Sequence, residues 1–402
     1  MPVDSHVHPG LCPKEALNKL IPLMVRQAHH ERNQQVAVRP ELVEGLVQRF
    51  PKGCYPAGVS SFASRIVSWQ QRHGRHTLPW QATRDPYRIW LSEIMLQQTQ
   101  VATVVPYFER FVARFPDLPG LAAAAEDDVL ALWSGLGYYS RARNLHAAAR
   151  AVMTRHGGTF PAQPDVIAQL PGVGRSTAAA IAALAFGRTC AILDGNVKRV
   201  LARHGGIAGW PGEKKTETAL WALAESQLPR TGIEAYTQGM MDLGALVCTR
   251  SQPDCAACPV NTDCIACKQG RVNELPTPRP KKALPEKQVQ MLLLLDRGEL
   301  MLEKRPSRGI WGGLWSLPEL APDADAAGHC RDRFGLIALT QQALPHLTHS
   351  FTHFRLHIRP VELRLSPRHS TSPGQIWMPL ADALGAPLPA PVRTLVKRLD
   401  SR

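Results

Sequence analysis

Four cysteines lie within seventeen residues of the chain at the uneven spacing C-x6-C-x2-C-x5-C: Cys248, Cys255, Cys258 and Cys264. Structural zinc usually takes two C-x2-C pairs separated by a longer loop, whereas one pair flanked by longer gaps suits a single iron-sulfur cluster. The spacing therefore predicts a 4Fe-4S cluster, with zinc as the alternative. Cys267 is the one other cysteine close enough to compete for a ligand position.

Disulfides fit the cysteine segment less well than a metal centre. The N-terminus lacks the basic start, apolar core and small-residue cleavage site of a secretory signal. We therefore expect a cytoplasmic protein, in a compartment where disulfides are rare.

Two carboxylates are candidates for acid–base chemistry. Glu93 lies beside the apolar stripe of a predicted helix, and a carboxyl half-buried there has a raised pKa, as a general acid requires. The residues alone favour a simpler interpretation, an ion pair with a neighbour such as Arg88. Asp194 follows two apolar residues and opens a predicted helix, so it is expected to be the N-cap, where the helix dipole keeps a carboxylate ionised.

A Gly-x-Gly turn separates two helical segments at residues 170–175 (LPGVGR). The paired glycines, Gly172 and Gly174 on either side of Val173, allow a tight hairpin whose backbone N–H groups can hold a phosphate at a helix N-terminus. An ordinary loop between helices is the alternative interpretation.

Composition indicates a partner class. The 402 residues carry a formal net charge of +14, which favours a polyanion such as nucleic acid, although a merely basic surface has the same charge. No apolar run reaches the eighteen residues typical of a membrane span. We therefore expect a globular protein that does not cross a membrane.

The pattern of elements divides the chain into four parts. Residues 1–58 show no sustained periodicity and are predicted to be a non-core, disordered extension. Residues 59–270 are mainly α, with Pro106 predicted to mark either a break in one helical stripe or the first turn of a new helix. A proline-rich basic linker is predicted at 271–287 and an α+β domain at 288–402, with strands near 289–295, 300–304, 354–363 and 376–378 and a helix near 324–334.

Residues 91–100 (LSEIMLQQTQ), 135–139 (GLGYY) and 193–196 (LDGN), taken with the hairpin and the cysteines, resemble the helix-hairpin-helix, iron-sulfur DNA glycosylases, in particular the MutY-type adenine DNA glycosylases. Residues 309–315 (GIWGGLW) and 351–353 (FTH) are similar to the Nudix-like C-terminal domain of that family. The resemblance implies a helix-hairpin-helix glycosylase domain followed by a Nudix-like domain. It covers all but the first 58 residues.

The family resemblance also implies an activity: base excision repair of adenine mispaired with 8-oxoguanine or guanine in double-stranded DNA, by a base-flipping, monofunctional, nucleoid-associated monomer. It implies that Glu93 protonates adenine and later activates water, and that Asp194 stabilises or attacks the sugar cation. The remaining implied site residues are Asn196 and Ser176 beside the carboxylates, Trp80, Gln81 and Gln238 at the adenine, Gln98, Thr99, Leu136, Gly137 and Tyr138 around the opposite base, and Thr352 and His353 in the C-terminal domain. For Tyr138, core packing is the alternative, although Gly135 and Gly137 favour an exposed turn.

Three other functions stay open at this point. An endonuclease III-like lyase needs a Lys just after the hairpin, where this chain has Ser176. A Nudix nucleotide hydrolase needs several carboxylates on one helix, and residues 328–335 hold one. A non-catalytic DNA-binding module would have no need of Glu93. One residue departs from the family: Thr352 replaces the serine of the usual Phe-Ser-His motif. Its hydroxyl keeps the same donor and acceptor.

Overall fold

The computed structural model describes residues 61–280, 283–367 and 373–401. The predicted extension at 1–58 lies outside the described residues. From Ser61 to the cysteine segment the chain is helical, as the periodicity predicted. The helices are α1 (Phe62–His73), α2 (Pro86–Leu96), α3 (Val101–Arg114), α4 (Leu118–Ala123), α5 (Glu126–Trp133), α6 (Ser140–Arg155), α7 (Pro164–Ile167), α8 (Arg175–Phe186), α9 (Gly195–His204), α10 (Lys214–Ser226), α11 (Ile233–Leu246) and α12 (Ile265–Lys268).

Local sequence sets the start of the helices that matter for the site. Asp85 caps α2, and Pro86 occupies its first turn, where a missing N–H costs nothing. Asp194 caps α9 as predicted, because its side chain accepts a hydrogen bond from the backbone N–H of Val197. The first turn of α9 is therefore fixed by one of the two candidate carboxylates itself.

Packing brings four of these helices together in pairs. Helix α2 packs against α8, and α9 packs against α11. Gly244 of α11 permits the second contact, because a Cβ there would lie 2.6 Å from the Cβ of Asn196. The residues before and after the hairpin are thus held between α2 and α11.

The predicted break at Pro106 is wrong. The residue lies inside α3, and the chain leaves helical geometry earlier, between the end of α2 at Leu96 and the start of α3 at Val101. Gln98 in that gap has a φ of 59°. A left-handed residue ends a helix as firmly as a proline does.

The C-terminal region is an eight-stranded mixed sheet with helices, which agrees with the predicted α+β class. The elements are β1 (Glu286–Asp296), β2 (Glu299–Lys304), β3 (Trp315–Ser316), β4 (Glu319–Leu320), α13 (Ala326–Phe334), β5 (Ala338–Ala343), β6 (Leu347–Ser350), β7 (Arg355–Leu365), β8 (Gln375–Pro379), α14 (Leu380–Ala383) and α15 (Ala390–Asp400). The strand order of the sheet is β3-β2-β1-β7-β5, with β4 paired to β1, β6 to β7 and β8 to β2, and the β1–β7 pair is parallel.

Both faces of this sheet are buried. Met291 and Leu293 face the larger apolar cluster, which includes α15 and continues into the helical region, while Leu292 and Leu294 face a smaller cluster beneath α13. This arrangement explains the unbroken apolar run in β1, because a strand covered on both sides has no polar face.

The predicted linker at 271–287 is partly built into the helical region. The Leu275 carbonyl accepts a hydrogen bond of 2.8 Å from Arg203, and the Thr277 hydroxyl accepts one of 3.0 Å from Gly209. Strand β1 begins at Glu286, so the last two residues of the predicted linker belong to the strand. None of the helices in the described part of the chain has the length and apolar character needed to cross a membrane.

The helical and C-terminal regions share several polar contacts. The Lys304 ammonium pairs with the Asp127 carboxylate, the Arg143 guanidinium donates to the Gly312 carbonyl, and the Tyr139 hydroxyl donates to the Leu388 carbonyl at 3.2 Å. Two of the helical partners are Tyr139, the last residue of the 135–139 motif, and Arg143, in the first turn of α6.

Candidate active site and DNA interface

Asp194 is the buried end of a short hydrogen-bond network. Its Oδ1 accepts from the Val197 N–H at 2.8 Å, and its Oδ2 accepts from the Asn196 amide at 3.4 Å. Arg199 holds Asn196 in turn, with 2.8 Å between Nη2 and the Asn196 Oδ1. The predicted partner Asn196 therefore orients Asp194, and Arg199 is a further member that the sequence patterns did not reveal.

Two effects compete at Asp194, the carboxylate that the sequence predicted to be ionised. Burial raises its pKa above the ordinary value, although the hydrogen bonds from Val197 and Asn196 and the charge of Arg199 act in the opposite direction. Desolvation is the larger effect, and the donors at the helix N-terminus offset it in part.

Glu93 lies on α2, close enough to Asp194 for the charge of Asp194 to affect its pKa. Burial raises the pKa of Glu93 to about 8, and the negative charge of Asp194 adds to the shift. Arg88, the partner in the simpler interpretation, pairs instead with Asp85 at 3.7 Å. Among the described residues, none donates a hydrogen bond to the Glu93 carboxyl, whereas Asp194 has two donors and a nearby cation. The hydrogen bonds and the cation favour the ionised form of Asp194, whereas the buried Glu93 carboxyl without a donor favours its protonated form.

Ser176, in the first turn of α8, contacts the backbone just before Asp194. Its hydroxyl accepts a hydrogen bond of 2.8 Å from the backbone N–H of Leu193, the residue before Asp194. A side chain on α8 thus fixes the backbone that carries Asp194. An alcohol at this position cannot form a Schiff base with a sugar.

The three residues predicted to contact adenine line one cavity of about 290 Å³. Trp80 packs its ring edge against Phe108, with 5.2 Å between centroids, and Gln81 lies in the same wall with its side chain tied back to the Leu78 N–H. Gln238 donates to Asp242 at 2.9 Å. Ser92, the residue before Glu93, also lines the cavity, whereas Glu93 and Asp194 are not among its lining residues.

The residues predicted to surround the opposite base fall on two strained turns. Gln98 and Tyr138 are two of the described non-glycine residues with positive φ, at 59° and 49°. Tyr138 is 46% exposed, which confirms the exposed turn and excludes core packing. Gly137 has a φ of 76°, and a Cβ added there would lie within 4 Å of no atom of the described residues outside its chain neighbours. Such conformations cost free energy and persist only when the surroundings hold them.

The buried side chain of Arg141 forms hydrogen bonds with both turns, the one around Gln98 and the one around Tyr138. Its guanidinium donates to the carbonyls of Ile94, Met95 and Gln97 at 2.6–3.0 Å on one side, and to Thr99 Oγ1 at 3.1 Å and the Gly137 carbonyl at 3.1 Å on the other. The Leu136 carbonyl is a longer partner at 3.4 Å. Burial lowers the pKa of Arg141 to about 10, so it remains charged at neutral pH.

Arg141 was missed in the sequence because its partners are carbonyl groups, which every residue has. A signal was nevertheless present. Arg141, Leu145 and Ala149 recur at intervals of four residues, which places the arginine on the buried face of α6. A charged side chain at such a position needs partners that the sequence does not display.

The Gly-x-Gly turn forms the predicted hairpin into α8. Gly172 has a φ of 75°, and a Cβ there would lie 2.6 Å from the Cβ of Asn144 on α6. Val173 is buried and anchors the turn, while Gly174 precedes the first residue of α8. The ordinary-loop alternative does not explain why both the φ and the close approach require glycine at 172.

The four clustered cysteines line one cavity, together with Cys267 and Arg203. Arg203 donates to the Cys248 sulfur at 3.4 Å and to the Thr249 carbonyl at 2.6 Å. The segment is tied to α1 by an ion pair of 2.5 Å between Arg65 and Asp263. Within the described ranges, no group of three or more His, Cys, Asp or Glu side chains is arranged to hold a metal ion. The thiols thus surround a cavity without converging on one ion-sized point.

Thr352 and His353 are exposed at the tip of the β6–β7 hairpin. Phe351 and Phe354 close the hairpin, with a backbone hydrogen bond of 2.9 Å and stacked rings 4.4 Å apart. Trp311 of the 309–315 motif packs on Phe351 at 5.3 Å, so the structure brings together the two C-terminal motifs. Helix α13 carries a single carboxylate, Asp332, which pairs with Arg331.

Comparisons with known proteins identify the family. Residues 91–226 match the model of the HhH-GPD superfamily base excision DNA repair proteins, and residues 290–398 match a NUDIX domain. A thermostable thymine-DNA glycosylase structure superposes with a TM-score of 0.48 at 31% identity, over 52% of this chain and 95% of that chain. The chain is 38% identical over 339 residues to the adenine DNA glycosylase of Buchnera aphidicola subsp. Acyrthosiphon pisum (strain APS), covering 84% of this chain and 97% of the relative. It is 30% identical over 443 residues to that of Homo sapiens, covering 88% and 80%. The chain therefore belongs to the family of adenine DNA glycosylases.

Proposed function

We propose that this protein hydrolyses the N-glycosidic bond of adenine mispaired with 8-oxoguanine or guanine in duplex DNA. The observation that supports this proposal most strongly is the carboxyl pair. The pKa of Glu93 is raised to about 8, and the neighbouring Asp194 caps α9 by accepting a hydrogen bond from Val197. Loss of a purine from its sugar needs a proton on the base and a negative group near the cation. The pair supplies one of each at neutral pH.

In this reaction Glu93 donates its proton to the flipped adenine and, once ionised, accepts a proton from the attacking water. Asp194 stabilises the sugar cation or bonds to it transiently. Asn196 and Ser176 act on Asp194, the first through its carboxylate and the second through the backbone of Leu193. Trp80, Gln81 and Gln238 enclose the base in their shared cavity.

The opposite strand is read by the two strained turns. Gln98 and Tyr138 fill the stack left by the flipped adenine, while Thr99, Leu136 and Gly137 surround the opposite base. Thr352 and His353 add recognition of 8-oxoguanine from their exposed hairpin tip. The exposure of Tyr138 supports this role, because an inserting ring must be free of the core.

DNA backbone contacts come from the hairpin at Gly172, Val173 and Gly174 and from the net charge of +14. The N–H groups of Gly172 and Gly174 bind phosphate, while Val173, whose N–H donates to the Leu170 carbonyl at 3.1 Å, holds the turn in shape. The proposal also has the protein act as a monomer. Its substrate places it with the chromosome, at the nucleoid.

Strand cleavage by a lyase route is not part of the proposal. Ser176 occupies the place of the lyase Lys, and its hydroxyl is already used to hold Leu193. Borohydride should therefore trap no covalent complex. The variant Ser176→Lys is the matched test, because an amine there can form the Schiff base that wild type cannot.

A 4Fe-4S cluster held by Cys248, Cys255, Cys258 and Cys264 is the proposed cofactor. The four thiols surround one cavity instead of meeting at one point, which suits a cluster of four irons better than a single zinc. The cluster would fix the segment between α11 and the linker. Cys258→Ser should lose iron and acid-labile sulfide, whereas the control Cys190→Ser, far from the cavity wall, should keep both. Zinc without sulfide in protein purified under nitrogen would contradict the proposal.

The decisive experiment uses duplexes with adenine opposite 8-oxoguanine, guanine or thymine. Heating in alkali cleaves the strand wherever adenine has been lost. We expect cleavage with the first two duplexes and little with the paired control. Hydrolysis of nucleoside triphosphates without adenine release would instead support the nucleotide hydrolase.

A further inference from the structure

The turn at residues 134–139, called here the Tyr138 turn, is held on two sides. Arg141 fixes its inner side through the Leu136 and Gly137 carbonyls. Its other side contacts the C-terminal region, where α15 and the segment before it lie against Ser134 and Tyr139. The turn that carries the proposed inserting residue is therefore also a point of contact between the two regions.

Arg393 of α15 makes the most direct of these contacts. Its Nη2 donates to the Ser134 hydroxyl at 2.6 Å and to the Ala386 carbonyl at 3.0 Å. Its Nη1 donates to the Leu384 carbonyl. One half-buried guanidinium thus links two carbonyls of the segment between α14 and α15 to the first residue of the Tyr138 turn.

A second link runs through Tyr139. Its hydroxyl donates to the Leu388 carbonyl and accepts from the Gly135 N–H, with 3.2 Å for each pair. Tyr107 closes the turn from α3, because its hydroxyl donates to the Ser134 carbonyl at 2.9 Å. The same hydroxyl would lie 2.4 Å from a Cβ at Gly135. The base of the turn is therefore bonded from both regions.

The backbone of the turn needs this support. Gly135, Gly137 and Tyr138 all have positive φ, at 97°, 76° and 49°. For Tyr138 that conformation costs free energy and is kept only where the surroundings impose it. Without its bonds at Ser134, the turn would relax toward conformations that point the Tyr138 ring elsewhere.

We propose that Arg393 is a positioning residue that holds the Tyr138 turn in the conformation that inserts into DNA. The C-terminal region then contributes to recognition of the opposite base in two ways, through its own hairpin tip and through the geometry of a turn in the helical region. This inference rests on the proposed function, because it assigns Tyr138 to the DNA stack.

The first test compares the mispair affinities of Arg393→Gln, Ser134→Ala and a control, Arg398→Gln. Arg398 is exposed on the same helix, so its replacement removes the same charge without touching the turn. We expect Arg393→Gln to weaken binding to an adenine:8-oxoguanine duplex about tenfold, as for loss of a charge-assisted hydrogen bond. Ser134→Ala should show a smaller loss in the same direction, and Arg398→Gln should bind within about twofold of wild type.

The second test separates positioning from general stability by a double-mutant cycle with Tyr138→Ala. If Arg393 acts through the Tyr138 ring, Arg393→Gln should add little to the loss already caused by Tyr138→Ala. Additive losses, or unchanged binding by Arg393→Gln, would overturn the proposal. If Arg393→Gln fails to fold, Ser134→Ala takes its place in the cycle, because it removes one hydroxyl only.

Binding constants also separate this proposal from the proposed function. A wild-type protein that prefers the mispair but releases no adenine would contradict the function and leave the cycle measurable. Adenine release with additive losses in the cycle would contradict the role of Arg393 alone.

Discussion

The two halves of the proposed site are built in different ways. Glu93 and Asp194 lie on packed helices, where burial raises both pKa values. The turns at Gln98 and Tyr138 lie near the surface, where positive φ values are imposed by hydrogen bonds from below. Desolvation sets the pKa values of the two carboxyl groups. In the two turns, hydrogen bonds from the buried Arg141 hold the strained backbone.

The contrast shows where each half is vulnerable. A carboxyl whose protonation is set by burial loses its function when the carboxyl itself is changed, even if shape is kept. An exposed turn tolerates changes at its tip better than changes beneath it, because several carbonyls depend on one guanidinium. Substitutions can therefore separate chemistry from recognition.

The largest effect is expected at Asp194. Asp194→Asn keeps the shape and the cap but removes the negative charge, so the single-turnover rate of adenine release should fall on the order of 100-fold or more. Affinity for the mispair should stay within a few-fold of wild type. The matched control is Asp165→Asn, at the first turn of α7 and outside the carboxylate network. A near wild-type rate for Asp194→Asn would place the chemistry elsewhere.

A smaller effect, on recognition instead of chemistry, is expected at Arg141. Arg141→Lys keeps the charge but cannot reach carbonyls on both turns, so mispair affinity should fall about tenfold or more. The rate of adenine release at saturating protein should fall less than the affinity. Arg150→Lys, on the exposed face of the same helix, should behave as wild type. Equal losses of rate and affinity would argue against the division into two halves.

The smallest effect is expected at the C-terminal hairpin tip. His353→Ala should lower the preference for 8-oxoguanine over guanine by about threefold, in line with loss of one exposed hydrogen bond. The rate with guanine should not change. His346→Ala, also exposed and just before β6, is the control. An unchanged preference would remove the hairpin tip from recognition and leave the turns to carry it.

Much of the catalytic half could be predicted from the sequence, because it depends on local chemistry. The N-cap at Asp194 follows from a carboxylate before a helix, and the raised pKa of Glu93 follows from its place beside an apolar stripe. The longer strands were also predicted, since their apolar patterns are continuous. The desolvation that raises the pKa of Asp194 could not be predicted, because it depends on helices distant in sequence.

The recognition half was harder to predict for physical reasons. Arg141, Tyr107 and Arg393 act on backbone carbonyls or on single hydroxyls, and these acceptors leave no pattern along the chain. Pro106 was misread for a related reason: its missing N–H is a local signal, whereas the strain at Gln98 depends on bonds from α6. The two-residue strands β3 and β4 form only because β2 and β1 are present beside them.

The most direct test of the account is the pH dependence of single-turnover adenine release by wild type, Glu93→Gln and the exposed control Glu109→Gln. Because the protonated form of Glu93 is the active one and its pKa is about 8, the wild-type rate should hold below that pH and fall about tenfold per unit above it. Glu109→Gln should follow wild type, and Glu93→Gln should be slower by about 100-fold or more, without that fall. A Glu93→Gln protein that keeps the wild-type rate, or the same fall above pH 8, would contradict the assignment of the proton to Glu93.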